Sequence, residues 1–292
     1  MVVVNITSIS SRLDLCGATV WSLIQQRKLP DKINIWLSHD PYMADKGIEN
    51  IPGWVSELNK IHDIITVKFT DNIGPYRKII PALRNSPVDS VLVYADDDVI
   101  YGKDWLFELC NTYEEYNGEH VVSSRVRLMK KNFLGIYRSY NDFPLCIDSR
   151  LLSEDFLITG VGGCILSKAH INELLIEDNE FLNVAPRADD IWLSKIIMLS
   201  GTPIINYPNE IAILFNILRG SIKTFKFQLN VKSAINEKLM KKIFSKYRIL
   251  DYINYKPSNM QLVVTRNPFG FIDSKIVKEY QGIELSEKGN ID

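Results

Sequence analysis

The sequence lacks the features that mark several common protein classes. No apolar run approaches the roughly 18 residues that a membrane-spanning helix needs. The first ten residues have neither the basic start nor the cleavage pattern of a secretory signal peptide. The patterns H-x-x-x-H and G-x-S-x-G are absent, which argues against common zinc and serine hydrolases. We therefore expect a cytoplasmic protein outside those two enzyme classes.

Cysteine is scarce, with four residues in the whole chain (Cys16, Cys110, Cys146 and Cys164). They are far apart, form no C-x-x-C pair and lie mostly among apolar residues. This pattern predicts reduced thiols that pack as small hydrophobic side chains, not a disulfide framework. It also favours a reducing compartment.

Excess charge of either sign is missing too, because 34 Lys and Arg residues nearly balance 35 Asp and Glu residues. A net charge of -1 argues against nucleic acid as a partner. The charges are nevertheless unevenly distributed. The segment from Asn216 to Lys256 contains ten basic and two acidic residues, interleaved with apolar ones. Two interpretations remain open: an amphipathic helix on an anionic membrane, or a helical cap with a solvated basic face.

What is present is the composition of a globular protein, with 292 residues of which 46% are hydrophobic. Apolar β-branched runs alternate with segments of helical spacing over the first 120 residues. This alternation predicts an α/β fold with a mostly parallel central sheet flanked by helices, whose ligands bind beyond the carboxyl ends of the strands. The loops after Thr7, Leu37 and Tyr94 are therefore expected to share one crevice.

Three consecutive carboxylates, Asp96, Asp97 and Asp98, follow the apolar strand that ends at Tyr94. Adjacent negative charges next to a core repel one another unless a cation lies there. Mg²⁺ or Mn²⁺ would meet that need, since these ions take carboxylate oxygens and share their other positions with water and phosphate. An acidic turn with a capping role is the alternative.

Two further carboxylates, Asp189 and Asp190, begin a predicted helix from Ala188 to Leu199 that is apolar on nearly every face. A helix of this kind is buried, so its start is expected at a cavity edge. Its positive end favours a charged carboxylate, which could accept the proton of an attacking hydroxyl as general base. Helix capping is the alternative, and one of the pair could cap while the other faces the site.

Weaker signals lie in the other loops. Arg77 and Lys78 belong to a predicted helix from Pro75 to Leu83, where they could meet a diphosphate, although for Arg77 solvated surface charge is at least as good an interpretation. Asp40 follows the second strand, where a carboxylate could contact a base or ribose or could simply begin a turn. The glycines of 160–163 allow close approach to a ligand or a tight turn.

In chain order the motifs are TSISSRL from Thr7, LSHD from Leu37, GPYRK from Gly74, YADDDVIY from Tyr94, GVGG from Gly160 and ADDIWL from Ala188. This collinear set resembles the bacterial GT-A-fold glycosyltransferases, especially the family 2-like enzymes of capsule and O-antigen polysaccharide synthesis. The resemblance covers about residues 2 to 215. It implies a GT-A nucleotide-sugar-binding and catalytic domain over 1–215. The basic and apolar pattern beyond that domain predicts a basic, mainly helical C-terminal extension over 216–292.

The resemblance also implies roles for the matching positions. The acidic triplet looks like the family's DxD motif, with Asp96 and Asp98 as metal ligands. The pair at the helix start looks like the family's catalytic carboxylate. The remaining matches imply donor contacts: the nucleoside at Thr7, Ser8 and Asp40, the diphosphate near Lys78 and Asp97, and the donor–acceptor junction at Gly162 and Gly163. Many GT-A enzymes add a late histidine ligand, whereas no histidine follows His170 here.

The implied activity is a metal-dependent transfer of a sugar from a nucleotide sugar, with UDP favoured, to a saccharide or lipid-linked saccharide. It is expected to invert the anomeric centre and to use Mn²⁺ or Mg²⁺. Peripheral contact with the inner face of the plasma membrane would run through 216–256. A sugar-1-phosphate nucleotidyltransferase is one alternative, although the first loop lacks the glycines that usually hold a triphosphate. A non-catalytic carbohydrate-binding protein is another.

Overall fold

The computed structural model describes residues 1–208 and 213–214. Its helices are α1 Leu13–Leu23, α2 Gly53–Asn59, α3 Ile80–Asn85, α4 Trp105–Glu115, α5 Glu173–Glu177, α6 Phe181–Val184 and α7 Asp189–Leu199. Its strands are β1 Val2–Thr7, β2 Lys32–Leu37, β3 Ile65–Phe69, β4 Val91–Tyr94, β5 Val99–Ile100, β6 Val121–Ser123, β7 Val126–Leu128, β8 Arg150–Leu152, β9 Phe156–Ile158, β10 Cys164–Leu166, β11 Ile204–Asn206 and β12 Ile213–Leu214. The predicted C-terminal helical extension lies outside the described residues.

A central sheet of eight strands has the order β3-β2-β1-β4-β10-β6-β11-β8. The strands β1 to β4 run parallel, and so do β6 and β11, whereas β10 and β8 are antiparallel to their neighbours. The predicted α/β class, with a mostly parallel sheet flanked by helices, is confirmed. The small pairs β5–β12 and β7–β9 stand beside this sheet.

Two hydrophobic cores cover the two faces of the sheet, because successive side chains of a strand point to opposite sides. In β1, Val3 joins the core that contains Leu83 and Trp192, while Val4 joins the core that contains Leu23 and Leu106. Helices thus cover both faces, as a parallel sheet requires. The four cysteines are free and buried in the described residues, as predicted. No helix in the described part of the chain is long and apolar enough to cross a membrane.

The antiparallel strand β10 determines which loops meet. Cys164, its first residue, pairs with Tyr94, the last residue of β4. The glycine loop 160–163 therefore lies at the same edge of the sheet as the acidic triplet that follows β4. Asn5 of β1 also pairs with Tyr94, so the loop after Thr7 reaches this edge too.

The predicted helix from Pro75 to Leu83 is wrong in one respect, because the chain forms a 3-10 helix over Gly74–Lys78 and then α3. Pro81 explains the break, since proline donates no backbone hydrogen bond and its ring clashes with the carbonyl four residues earlier. The interruption at Ile79, where φ is -142°, leaves Arg77 and Lys78 on a separate short turn.

The buried helix that the apolar pattern predicted is α7. Ile191, Trp192, Leu193 and Ile197 are at most 2% exposed. Leu199, at its last turn, departs from that pattern with 43% exposure. The helix begins at Asp189, so both carboxylates of the pair lie in its first turn.

Candidate active site

One crevice, with a volume of about 320 Å³, opens at the carboxyl ends of β1 and β4. It is lined by residues 7–9, 42–45, 74–75, 77–78, 95–98 and 187–191, together with Arg12, Asn72 and Tyr140. Loops that follow β1, β2 and β4 thus meet in one place, as the alternating pattern predicted. The start of α7 closes another side of the same crevice.

The three carboxylates of the acidic triplet have different surroundings. Asp97 points inward: its side chain is 3% exposed, accepts a 2.5 Å hydrogen bond from Ser8 Oγ and pairs with Arg12 at 2.6 Å. Burial raises the pKa of Asp97 to about 6, although the charge of Arg12 opposes this shift. Asp96 and Asp98 are 26% and 32% exposed and lie on the crevice wall.

Lys78 lies between the two acidic motifs. Its side chain is 6% exposed, and its Nζ atom is 2.8 Å from Asp96 Oδ1, 2.6 Å from Asp189 Oδ2 and 3.6 Å from Asp190 Oδ1. Burial alone would lower the pKa of Lys78, but the three carboxylates outweigh it and raise that pKa well above its ordinary value. One buried cation therefore joins motifs that are far apart in the sequence.

The two carboxylates of the α7 pair differ in exposure. The Asp189 side chain is 12% exposed and turns toward Lys78. The Asp190 side chain is 30% exposed, and its Oδ1 atom accepts a hydrogen bond from Gly160 N at 2.9 Å. The residue at the N-cap position of α7 is Ala188, so both carboxylates lie one or two residues inside the helix. The more exposed of the two is thus Asp190, which is braced by the glycine loop.

Within the glycine loop, Gly160 lies against the charged side chains of Lys78, Asp96 and Asp190. A Cβ atom at Gly160 would lie 2.7 Å from Asp96 Oδ1 and would enter the space of Lys78 Nζ. Gly162 and Gly163, which the sequence favoured, face Arg125 and Trp105 instead, at distances that leave no room for a side chain. They let the loop pack against the core, while their proposed place at a donor–acceptor junction stays a prediction.

The residues predicted to contact a nucleoside are only partly brought together. Thr7 and Ser8 line the crevice, but Thr7 Oγ1 donates to the Trp36 carbonyl at 2.7 Å, and Ser8 Oγ is used by Asp97. Asp40 is exposed and lies outside the crevice lining formed by the described residues. Its backbone carbonyl accepts a hydrogen bond from Asn72 at 2.6 Å. Nucleoside contact at these three residues stays a prediction.

Arg77 is not a solvated surface charge, and that interpretation is wrong. Its side chain is 1% exposed and donates to Asp45 at 2.9 Å and to the Ser8 carbonyl at 3.0 Å. Burial opposes ionisation of Asp45, but hydrogen bonds from Ser10 N and from Arg77 lower the pKa of that carboxyl. Sequence reasoning missed Asp45, because no local pattern distinguishes it from a turn residue.

Arg12 is the other charged residue whose role the sequence did not show. It pairs with Asp97 and lies 3.3 Å from Asp98. The negative charge of Asp97 is the main reason that the pKa of Arg12 is raised. The sequence offered one indication of this role: Ser8 and Arg12 stand four residues apart in the loop that follows β1.

The crevice has an excess of negative charge that suits a divalent cation. Six acidic and four basic side chains line it. In the described residues no group of three or more His, Cys, Asp or Glu side chains is arranged to hold a metal ion. The donors that fit are the carboxylates of Asp96 and Asp98, since Mg²⁺ is often bound by one or two carboxylates together with water and substrate phosphate.

Comparison by sequence gives little. No family model matches the chain. Over 126 residues it is 30% identical to a protein of Acanthamoeba polyphaga mimivirus named as a putative ATP-dependent RNA helicase, and the match covers 38% of this chain and 27% of that protein. The chain thus spans 27% of the length of this relative. The sequence of the present chain contains no G-x-x-x-x-G-K-[ST], the phosphate-binding loop of many ATP-hydrolysing proteins.

Three solved structures are similar at 14 to 15% identity. A mannosyltransferase from Pyrobaculum calidifontis in complex with GDP-Man and Mn²⁺ has a TM-score of 0.49, covering 88% of this chain and 65% of that one. TarS 1–349 from S. aureus has a TM-score of 0.45, and the match covers 85% of this chain and 73% of that one. The 2-C-methyl-D-erythritol 4-phosphate cytidylyltransferase of Francisella tularensis has a TM-score of 0.42, and the match covers 79% of this chain and 99% of that one. Likeness of this size does not specify a reaction, because one fold serves many activities.

Proposed function

We propose that this chain is a glycosyltransferase that moves a sugar from a nucleotide-sugar donor, with UDP favoured, to a saccharide or lipid-linked saccharide acceptor in surface polysaccharide synthesis. The observation that carries the proposal is the meeting of two acidic motifs, 96–98 and 189–190, in one crevice at the carboxyl edge of a mostly parallel sheet. Open α/β sheets bind their ligands at this edge. We propose a cytoplasmic location for the protein.

Asp96 and Asp98 are the proposed ligands of Mn²⁺ or Mg²⁺, because both carboxylates lie on the crevice wall and are about a quarter to a third exposed. When bound, the ion would supply Lewis-acid stabilisation of a nucleoside diphosphate leaving group. Asp97 would position Asp96 and Asp98 without binding the ion itself, because its hydrogen bond from Ser8 and its ion pair with Arg12 hold the triplet against the sheet. Thr7, Ser8 and Asp40 remain the proposed nucleoside contacts.

Asp190 is the proposed general base. It is more exposed than Asp189, and the Gly160 N–H holds one of its oxygens in place. The Asp190 carboxylate would accept the proton of the acceptor hydroxyl as that oxygen attacks the anomeric carbon. Attack from the face opposite the leaving group predicts inversion. Asp189 and Lys78 would hold the base in position.

The test is a thermal-shift and turnover panel. A ligand that binds only the folded protein raises its apparent stability, so one nucleotide sugar together with Mn²⁺ should raise Tm. The variants Asp98→Asn and Asp190→Asn should abolish turnover, with Asp98→Asn also weakening the metal-dependent shift. Asp63→Asn is the matched control, because Asp63 is exposed and lies outside the crevice lining of the described residues.

Three outcomes count against the proposal. Wild-type turnover in both Asp98→Asn and Asp190→Asn would show that the roles are misassigned. Release of diphosphate from a nucleoside triphosphate and a sugar 1-phosphate would identify a nucleotidyltransferase. Binding of a nucleotide sugar without turnover on any acceptor tested would favour a carbohydrate-binding protein.

A further inference from the structure

A hairpin over residues 130–138 ends in two exposed apolar side chains. Arg138 N donates to the Lys130 carbonyl at 2.7 Å, and the strands of the hairpin form an antiparallel bridge one residue further in. At the tip, Phe133 is 94% exposed and Leu134 is 66% exposed. Phe133 is more exposed than any other large hydrophobic side chain among the described residues. Single exposed apolar residues are common on protein surfaces. Two adjacent ones at the tip of a hairpin form an apolar patch, which is typical of a binding surface.

The tip is held in shape by its own hydrogen bonds. Asn132 Oδ1 accepts from Leu134 N at 2.9 Å and from Ile136 N at 3.0 Å. The backbone closes the turn through Asn132 N to the Ile136 carbonyl at 2.7 Å, and Gly135 supplies the positive φ of 78° that the turn needs. Phe133 is therefore presented on an ordered turn, and a partner need not order the loop when it binds.

The base of the hairpin is anchored to the domain. The Tyr137 side chain is buried, and its hydroxyl donates to Asp155. Lys131 pairs with the same carboxylate at 3.1 Å and lies over the Tyr137 ring, 4.6 Å from its centroid. These contacts fix the base of the hairpin to the body of the domain.

The hairpin is also cationic. Lys130, Lys131 and Arg138 are exposed, and residues 130–138 contain no acidic side chain. Asp155 pairs with Lys131, and Lys130 and Arg138 are two further exposed cations at the base of the hairpin. We propose that this tip inserts into the interface of an anionic lipid bilayer, with Phe133 and Leu134 entering the acyl boundary and the flanking cations meeting lipid headgroups. An exposed apolar tip on a hairpin with cations at its base complements the charge and polarity of such an interface.

The same stretch of chain leads to the crevice. Tyr140, six residues after Leu134, lines the crevice wall. Six residues span at most roughly 20 Å, so a tip at the lipid interface would keep the crevice near the membrane surface. The proposal concerns a binding surface and does not depend on the reaction proposed above.

Cosedimentation of the full chain with vesicles tests the proposal. Wild-type protein should bind phosphatidylglycerol-rich vesicles, and Phe133→Ser/Leu134→Ser should lower the partition coefficient at least about tenfold, since two large apolar side chains no longer leave water. Pure phosphatidylcholine vesicles should bind more weakly, by about fivefold per unpaired cation. Ile51→Ser/Ile61→Ser is the matched control, because both isoleucines are 54% exposed and lie elsewhere. Equal binding by wild type and the tip variant would overturn the proposal and assign any binding to another segment, such as 216–256.

A label at the tip provides a second readout. The four native cysteines are buried in the described residues, so Phe133→Cys gives a selectively reactive site for an environment-sensitive dye. A blue shift on adding phosphatidylglycerol-rich vesicles is expected, whereas a label that stays in water on bound protein would refute insertion. If the tip instead contacts a second copy of this chain, Phe133→Ser/Leu134→Ser would dissociate a dimer in the absence of lipid, and that result also overturns the proposal.

Discussion

Replacing Lys78 by methionine removes a buried cation that lies between Asp96, Asp189 and Asp190. Its Nζ atom lies 2.6 to 3.6 Å from the three carboxylates. Removing one partner of a buried ion pair costs about 3–5 kcal/mol, because the remaining charge stays buried and uncompensated. Asp96 and Asp190 are 26% and 30% exposed, so water offsets part of that cost. We expect a loss near the lower end, about 3 kcal/mol.

Urea unfolding of wild type and Lys78→Met measures this free energy, since the free energy of unfolding falls linearly with denaturant. Lys60→Met is the matched control: Lys60 pairs with Glu57 at 2.8 Å, but both side chains are more than 60% exposed, and such surface pairs contribute about 0–1 kcal/mol. A loss in Lys78→Met no larger than in Lys60→Met would refute the reasoning.

The pH dependence adds an independent check. The pKa of Lys78 is raised above its ordinary value of 10.5, so its stabilisation is fully present below that pH. It is lost as pH rises through the higher pKa of the folded state. Wild type should therefore lose stability in strongly alkaline solution relative to Lys78→Met.

Three other substitutions probe the same region. Burial raises the pKa of Asp97 from its ordinary value of 3.8 to about 6, so the stability gained from protonating Asp97 is fully present below pH 3.8 and is lost as the pH rises through 6. Asp97→Asn should flatten the dependence of the unfolding free energy on pH between these two values, as measured by urea unfolding. An unchanged pH dependence would contradict the assignment. Arg77→Met leaves Asp45 buried without its partner and should cost about 3–5 kcal/mol by the same method. Gly160→Ala should cost about 1–3 kcal/mol through overpacking, while Gly53→Ala, whose added Cβ meets nothing within 4 Å, should lose no stability; equal effects of the two would show that the glycine loop is not tightly packed.

Several features of the fold could be predicted because they depend on local periodicity. A continuous apolar run that stops at Tyr94 predicts a buried strand with the acidic triplet at its end, and the observed β4 ends there. Apolar residues around all sides of the segment after Asp189 predict a buried helix, which is α7. Strands that alternate with helices predict the parallel part of the sheet. The first two inferences use only neighbours within one element, and the third uses only the order of elements along the chain.

The helix boundaries near Pro81 show where local reasoning failed. Proline at the start of a segment was taken to begin one helix, but a second proline six residues later, Pro81, starts a new helix and ends the first. The resulting break leaves Arg77 and Lys78 on their own short turn. Of the two interpretations of Arg77, solvated surface charge is wrong, because its side chain is 1% exposed and pairs with Asp45.

By itself the sequence determined the class of the fold, the edge of the sheet at which the polar loops meet, and the two acidic motifs that line the crevice. The tertiary structure decided the partners: Lys78 lies between Asp96 and Asp189, Asp97 turns inward to Arg12, and within the loop 160–163 it is Gly160 that lies against these charged side chains. The physical reason is that hydrophobic burial follows the order of side chains along one element. A buried ion pair, by contrast, depends on which loops the sheet order brings together, and no spacing in the sequence records that.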